Sequence, residues 1–323
     1  MKPIRILVVI SCALAIAATS PAEQTGSAHY LPGSMASFID AFPGKPGALA
    51  LLSYSNYYDA SAPIDVRLPM GGFLSADIDA TAFADSILAV YQTPWELLGG
   101  GYAFGLSVPY AWLEVEGQAQ RIGPHGVPGP VHTVRDTASG LGDILLIPFM
   151  LGWTDLAPDL KVDLRLSVYA PTGDYSQSEL ANIGKNYWTF EPGVMVSWLS
   201  SKIGTEVSLY SGIDFNTENA DVDYTSGSSL HFDLTVAQHL PLGGGIIGIG
   251  ASAFYYQQIT GDSGTAAHLG DFEGMTYGVG PVLSYVWDCG ETQVLAELKW
   301  LPDLDVDNRL QGDSIWLKLG VLF

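Results

Sequence analysis

Basic residues, cysteines and long apolar runs are all scarce in this sequence. It has 13 Lys and Arg against 34 Asp and Glu, giving a formal net charge of −21. Nucleic acid is therefore not an expected partner, because phosphate binding needs clustered basic residues. With only 2 Cys in the chain, and Cys12 within a predicted leader, we expect no intrachain disulfide. After that leader no run approaches the roughly 18 apolar residues of a membrane-spanning helix, so any membrane span would consist of strands.

Residues 1–22 have the pattern of a cleaved signal peptide. Two basic residues precede an apolar run from Ile6 to Ala18, and small residues follow up to Ala22. An alternative makes Cys12 the acylated cysteine of a lipoprotein, but the apolar run continues past it. We therefore expect a secreted chain that begins at Glu23.

The remaining composition is that of a membrane barrel rather than a soluble enzyme. Charged residues make up only 15%, aromatic residues 11%, and there are 37 Gly. Low charge with many aromatic residues and glycines is typical of outer-membrane barrels with aromatic girdles.

Strict alternation of apolar and polar residues is the strongest pattern in the chain. From Leu160 to Tyr169 every second residue is apolar, which predicts a β-strand with one apolar face. About 12 segments share this pattern, and their polar or glycine-rich faces would not fill a common core, so we expect the apolar faces to meet lipid. The predicted strands are 47–59, 77–91, 100–116, 140–153, 160–172, 186–199, 205–216, 226–239, 245–259, 274–287, 292–301 and 312–323.

The predicted connections alternate between long and short, which is typical of an up-and-down barrel with external loops and short periplasmic turns. The long ones include 117–139 and 302–311. The sequence thus predicts an all-β fold, a transmembrane antiparallel β-barrel over residues 47–323. An even strand number puts both chain ends at the periplasmic mouth. The last strand ends at Phe323, an ending shared by barrels that the outer-membrane assembly machinery inserts.

Residues 23–46 precede the barrel and show no sustained period. Their Pro and Gly residues indicate an irregular segment. Two interpretations remain open, a periplasmic tail or a plug folded into the lumen, with His29, Tyr30 and Phe38 as plug candidates. Since about 12 strands fall between filled and open barrels, a narrow or plugged pore is expected.

Charged and polar residues on the strands are candidates for lining the lumen. Lys161, Asp163 and Arg165 should face inward, because a basic side chain facing lipid costs about 2–4 kcal/mol at the midplane. They either pair across the lumen or form a constriction that selects solutes. His231 and Asp233 share the inward face of another predicted strand.

Signals for metals and catalysis are weak. Asp303, Asp305 and Asp307 resemble the start of a calcium loop, but the glycine and the closing glutamate of that loop are missing. Weak divalent binding there is the only metal candidate, and we expect no cofactor. A barrel hydrolase using His231 is a minor alternative, since no serine, base and orienting group form a local signature. We expect no enzymatic activity.

Short motifs along the chain resemble those of one family. They are His29-Tyr30-Leu31-Pro32-Gly33, Pro43-Gly44-Lys45-Pro46-Gly47, Gly140-Leu141-Gly142-Asp143, Ala170-Pro171-Thr172-Gly173-Asp174-Tyr175, Asp214-Phe215-Asn216, Asp223-Tyr224-Thr225-Ser226-Gly227, Tyr256-Gln257-Gln258-Ile259-Thr260-Gly261-Asp262-Ser263-Gly264 and Gly280-Pro281. In this order they resemble the phenol meta-pathway (phenol MetA degradation) family of outer-membrane β-barrel transporters. The resemblance implies a monomeric barrel that admits small hydrophobic molecules, and it supplies no catalytic residues.

These patterns together predict a bacterial outer-membrane channel for passive uptake of small hydrophobic compounds, aromatic or lipid-like. Its expected partners are outer-membrane lipid, lipopolysaccharide, the solute and the assembly machinery that would recognise Phe323. The main alternative is a structural or adhesive barrel that acts through its loops, especially residues 117–139.

Overall fold

A computed structural model of the chain describes residues 27–62, 68–70, 73–122, 128–267, 273–290 and 292–323. The predicted signal peptide, residues 1–22, lies outside these described residues. The described chain has one short 3-10 helix, Phe38–Asp40, and 14 strands. Among these residues no helix is long and apolar enough to cross a membrane. The strands are β1 (Leu49–Ser61), β2 (Leu68–Met70), β3 (Phe73–Leu97), β4 (Gly100–Ile122), β5 (Pro128–Leu141), β6 (Ile144–Trp153), β7 (Leu160–Ala170), β8 (Thr189–Leu199), β9 (Thr205–Asn216), β10 (Ser229–Leu242), β11 (Gly245–Gln258), β12 (Met275–Cys289), β13 (Thr292–Asp307) and β14 (Gln311–Leu322).

The strands close into an antiparallel barrel. From β6 to β14 each strand pairs with its successor, β14 pairs with β1, β1 with β3, and β3 with β4. Both β5 and β6 pair with β4 and together form one interrupted strand, so the ring has 12 members. The short β2 is an extra strand on the end of β3. The predicted fold class is confirmed.

Side chains alternate between the two faces of this barrel as predicted. On β4, Phe104 is 45% exposed and Leu106 43%, whereas Ala103 and Ser107, which point to the other face, are buried. The same alternation recurs on other strands, with Leu164 exposed beside the buried Asp163 and Arg165 on β7. An apolar exterior around a polar interior is the arrangement of a transmembrane barrel.

The interruption between β5 and β6 has a local cause. Pro109 on the facing strand β4 has no N–H to donate to the ladder. The chain opposite it leaves the ladder at Gly142 and Asp143, and the Gly142 N–H donates to the Pro109 carbonyl at 2.9 Å. The break turns Asp143 inward, where it accepts bonds from three other groups, as described below.

Two predicted long connections prove to be largely strand. Residues 117–139 are occupied mostly by the ends of β4 and β5, and residues 302–307 belong to β13. These hairpins extend past the apolar band, where the outer face need not be apolar. Arg135 on β5, with its side chain 63% exposed, pairs with Glu114 on β4 at 2.7 Å. The alternation that identifies a lipid-facing strand is absent there, so sequence reasoning assigned these residues to loops.

Candidate functional site

The lumen contains the chain ahead of β1, here called the N-terminal segment (Ser27–Ala48). At the mouth with the short connections, the Gly47 N–H donates to the Gln92 carbonyl at 2.9 Å. At the other mouth, Lys185 in the long connection before β8 donates to the Ser27 carbonyl at 2.7 Å. The segment therefore runs the length of the lumen, and Ser27 lies at the mouth opposite to the start of β1. The predicted start of the mature chain, Glu23, lies outside the described residues, so the expectation that both chain ends lie at one mouth stays a prediction.

Asp233 on β10 holds the middle of the N-terminal segment. Its carboxylate accepts the Tyr30 hydroxyl at 2.6 Å, the Gly33 N–H at 3.1 Å and the Met35 N–H at 2.9 Å. Gly33 adopts φ 83°, a conformation that glycine permits, and this turn lets both amides reach one carboxylate. The predicted lumen residue Asp233 and the plug candidate Tyr30 are thus brought together.

Asp40, at the end of the 3-10 helix, ties the N-terminal segment to the last two strands. Lys318 on β14 contacts the Asp40 carboxylate at 2.7 Å and the Glu297 carboxylate on β13 at 3.0 Å. Lys299 on β13 donates to the Met35 carbonyl at 2.7 Å. Sequence reasoning missed this network. Its signal was a set of charged residues at alternate positions of lipid-crossing strands, which can face only inward.

The cluster predicted on β7 faces inward and holds the same segment. Arg165 pairs with Asp163 at 2.8 Å and donates to the Asp40 carbonyl at 3.0 Å. Lys161 donates to the Phe42 carbonyl at 3.1 Å. These three residues contact the N-terminal segment directly, so their charges are used to position it.

Two phenylalanines of the segment pack against the barrel wall. The Phe42 ring lies over Gly152 on β6, where an added Cβ would overlap the ring. The Phe38 ring meets His239 edge-on with centroids 5.1 Å apart. The Phe38 N–H donates to Glu206 at 2.7 Å. The missing side chain of Gly152 makes the niche for Phe42.

His29 fixes the start of the N-terminal segment, near Ser27, to the barrel wall. Its ring lies 2.9 Å from Asp143 and 2.7 Å from the Thr189 hydroxyl, and it stacks on Tyr169. The Asp143 carboxylate also accepts the Gly173 N–H at 2.8 Å and the Lys185 N–H at 2.7 Å.

A cavity of about 320 Å³ lies beside the N-terminal segment. The segment supplies one wall, and small inward residues of β3 and β4 form the facing wall. Arg165, Tyr169, Glu191 and Tyr210, on β7 to β9, also line the cavity. Larger apolar side chains of β3 and β6 line it further. These wall residues are Ala82, Ala84, Ser86, Leu88, Ser107, Pro109, Ala111, Leu145 and Ile147. The lumen is thus densely polar on the side of β7 to β14 and mostly apolar on this side.

The candidate metal ligands on β13 are not brought together as a site. Asp303 accepts bonds from Thr276 at 2.8 Å and from the Gly312 N–H at 2.9 Å. Asp305 and Asp307 are exposed. Within the described ranges, the group of three close ligand-bearing side chains is a different one, Glu191, Asp214 and His231.

Comparisons with known proteins agree with this architecture. Residues 65–319 match the family described as "Putative MetA-pathway of phenol degradation". An outer membrane channel from Pseudomonas putida F1 has a similar fold, with a TM-score of 0.56, 16% identity, and coverage of 86% of this chain and 96% of that one. A FadL homologue from Pseudomonas aeruginosa is more distant, with a TM-score of 0.43, 9% identity, and coverage of 88% and 96%. No curated protein matches the sequence significantly. The family match spans most of the chain, and the protein belongs to the family of the MetA pathway of phenol degradation.

Proposed function

We propose that this protein is an outer-membrane channel through which small hydrophobic compounds pass by diffusion. The observation that carries the proposal is the mostly apolar cavity between the N-terminal segment and the small inward residues of β3 and β4. Apolar pockets with few polar groups suit apolar ligands. The similar fold of the Pseudomonas putida channel supports the same class of function.

The N-terminal segment acts in this proposal as a plug that leaves one side of the lumen open. Its contacts with Asp233, Lys318 and Arg165 fix it against the polar wall. A solute would then move along β3 and β4, where Ala82, Ala84 and other small side chains leave room. An apolar route of this kind excludes ions, which lose hydration without gaining partners.

The same geometry supports a placement in the outer membrane. We propose that the barrel sits in the outer membrane among lipid and lipopolysaccharide, with the short connections on the periplasmic side. The assembly machinery would recognise β14 and its terminal Phe323. The apolar exterior supports this placement.

Cavity filling tests the proposed route. Ala84 faces the cavity from β3, and Ala84→Phe places a ring in it. Ala89→Phe is the matched control, since Ala89 pairs with the exposed Leu51 and Leu106 on the outer face of the barrel. Uptake of the fluorescent compound N-phenylnaphthylamine by cells with an intact lipopolysaccharide layer is the measurement.

The proposal expects producing cells to take up the compound faster than cells without the protein. It expects Ala84→Phe to lose most of that gain and Ala89→Phe to retain it. Equal uptake with and without the protein would contradict a channel for hydrophobic compounds. Unchanged uptake by Ala84→Phe would contradict this route.

A further inference from the structure

Three ligand-bearing side chains converge inside the barrel on three successive strands. Glu191 lies on β8, Asp214 on β9 and His231 on β10, and their nitrogen and oxygen atoms all lie within 4.8 Å of one another. All three residues are buried, with His231 at 0% exposure. They surround Gly212, the inward residue of β9 that pairs with His231.

Both ring nitrogens of His231 are buried and have no hydrogen-bond partner among the described residues. The Nε2 atom faces the two carboxylates, 3.5 Å from the Glu191 oxygen and 3.8 Å from the Asp214 oxygen. Buried polar nitrogens are rarely left in this state, because the lost hydrogen bond costs about 1–3 kcal/mol. An imidazole nitrogen beside two carboxylates instead supplies donors of the kind that zinc sites use.

The separations fit a bound cation. Nitrogen and oxygen ligands lie about 2.0–2.2 Å from Zn²⁺, so two ligands at a tetrahedral angle are roughly 3.4 Å apart. The distances from His231 to the two carboxylates are close to this value. A Cβ on Gly212 would lie 2.7 Å from the His231 nitrogen and 3.0 Å from the Glu191 oxygen, so glycine keeps the space beside the ligand atoms clear.

Surrounding groups hold the ligands in place. Tyr210 donates to one oxygen of Glu191 at 2.5 Å, and Tyr169 donates to the other at 3.0 Å. The Tyr30 ring stacks on His231 with centroids 3.6 Å apart and planes 11° from parallel. Such outer contacts orient ligands in known metal sites. Imidazole ligands suit zinc and similar divalent transition metals, and zinc sites also accept carboxylate ligands.

We propose that Glu191, Asp214 and His231 form a binding site for one divalent transition-metal ion of the zinc type. The ion would be held by one oxygen from each carboxylate and by one imidazole nitrogen. Its position under Tyr30 places it between the barrel wall and the N-terminal segment. Glu191 also lines the cavity proposed for solutes, so the metal site borders that route.

The test uses the full mature protein in detergent, stripped with a chelator and titrated with Zn²⁺ against a chromophoric competitor. We expect one equivalent to bind. His231→Gln should weaken binding at least about 100-fold, since loss of an outer contact alone costs 10–100-fold. His239→Gln is the matched control, because His239 is also buried in the lumen but pairs with Glu206 at 2.7 Å. It should bind Zn²⁺ as the unmodified protein does.

Asp214→Asn provides a second variant that keeps the side-chain volume, and its binding should also weaken. Folding of each variant is judged by its migration on gels with and without heating. If His231→Gln does not fold, the Zn²⁺ affinity of Asp214→Asn tests the proposal. Absence of a stoichiometric Zn²⁺ equivalent in the unmodified protein would overturn the proposal. Equal Zn²⁺ affinity in a folded His231→Gln or Asp214→Asn protein would overturn it as well.

Discussion

Tyr30 and His231 lie face to face, with ring centroids 3.6 Å apart, although they are 201 positions apart in the chain (231 − 30). Tyr30 also donates its hydroxyl to Asp233, two residues further along the same strand. One residue of the N-terminal segment is thus held by stacking and by a hydrogen bond at neighbouring inward positions of β10.

Tyr30→Phe separates these two contributions, because it keeps the ring and removes the donor. A buried acceptor that loses a partner costs about 1–3 kcal/mol, so the free energy of unfolding should fall by that amount. Denaturant titration in phospholipid vesicles measures it. Tyr57→Phe, at an exposed ring whose hydroxyl lies 3.5 Å from Asp59, is the control and should leave stability unchanged. A Tyr30→Phe protein as stable as its parent would contradict the role of this bond.

Lys318→Met should strongly lower the free energy of unfolding. It leaves Asp40 and Glu297 buried without the cation that contacts both. Removing one partner of a buried ion pair costs about 3–5 kcal/mol. Arg135→Met, which breaks an exposed pair with Glu114, is the matched change and should have no measurable effect. Similar unfolding midpoints for the two variants would show that the buried network contributes little.

Gly152→Ala should displace Phe42 from the wall of β6, since the new Cβ overlaps the ring. We expect the N-terminal segment to become sensitive to added protease in the folded barrel. Adding Phe42→Ala to Gly152→Ala removes the overlap, and the double variant should be no more sensitive than Phe42→Ala alone. Gly140→Ala is the control, because a Cβ there meets its nearest atom at 3.5 Å. Full protection in Gly152→Ala would contradict the close packing.

Asp143→Asn should loosen the start of the N-terminal segment. The Asp143 carboxylate contacts the His29 ring and accepts the Gly173 and Lys185 N–H groups, and an amide at this position offers them only one oxygen. A buried group that loses its partner costs about 1–3 kcal/mol, so the free energy of unfolding should fall by that amount. Denaturant titration in phospholipid vesicles measures it, and an unchanged free energy would contradict the assignment.

Alternation alone predicts most of the barrel because lipid imposes one rule on every strand that crosses it. The segment Leu160–Tyr169 lies entirely within β7, and its inward Asp163 and Arg165 are buried as expected. The rule stops at the membrane boundary. Residues 128–139 therefore gave no strand signal, although residues 131–139 pair in regular register with β4.

The contacts between side chains inside the lumen could not be predicted from alternation. The alternation on their strands predicts that Lys318 and Glu297 face the lumen. Their pairing depends in addition on the strand register and on Asp40, which belongs to the N-terminal segment and not to the sheet. His231, Asp214 and Glu191 likewise meet only because three strands place them around Gly212. The sequence separates Asp40 from Lys318 by 278 positions, and no local pattern links them.

The path of the N-terminal segment has a practical consequence for labelling. Ser27 and Phe323 lie at opposite mouths, the first beside Lys185 and the second paired with Leu49. In whole cells, a small membrane-impermeant dye should thus reach a cysteine substituted at Ser27 and miss one substituted at Phe323. The N-terminal segment and the last strand would then report on different compartments.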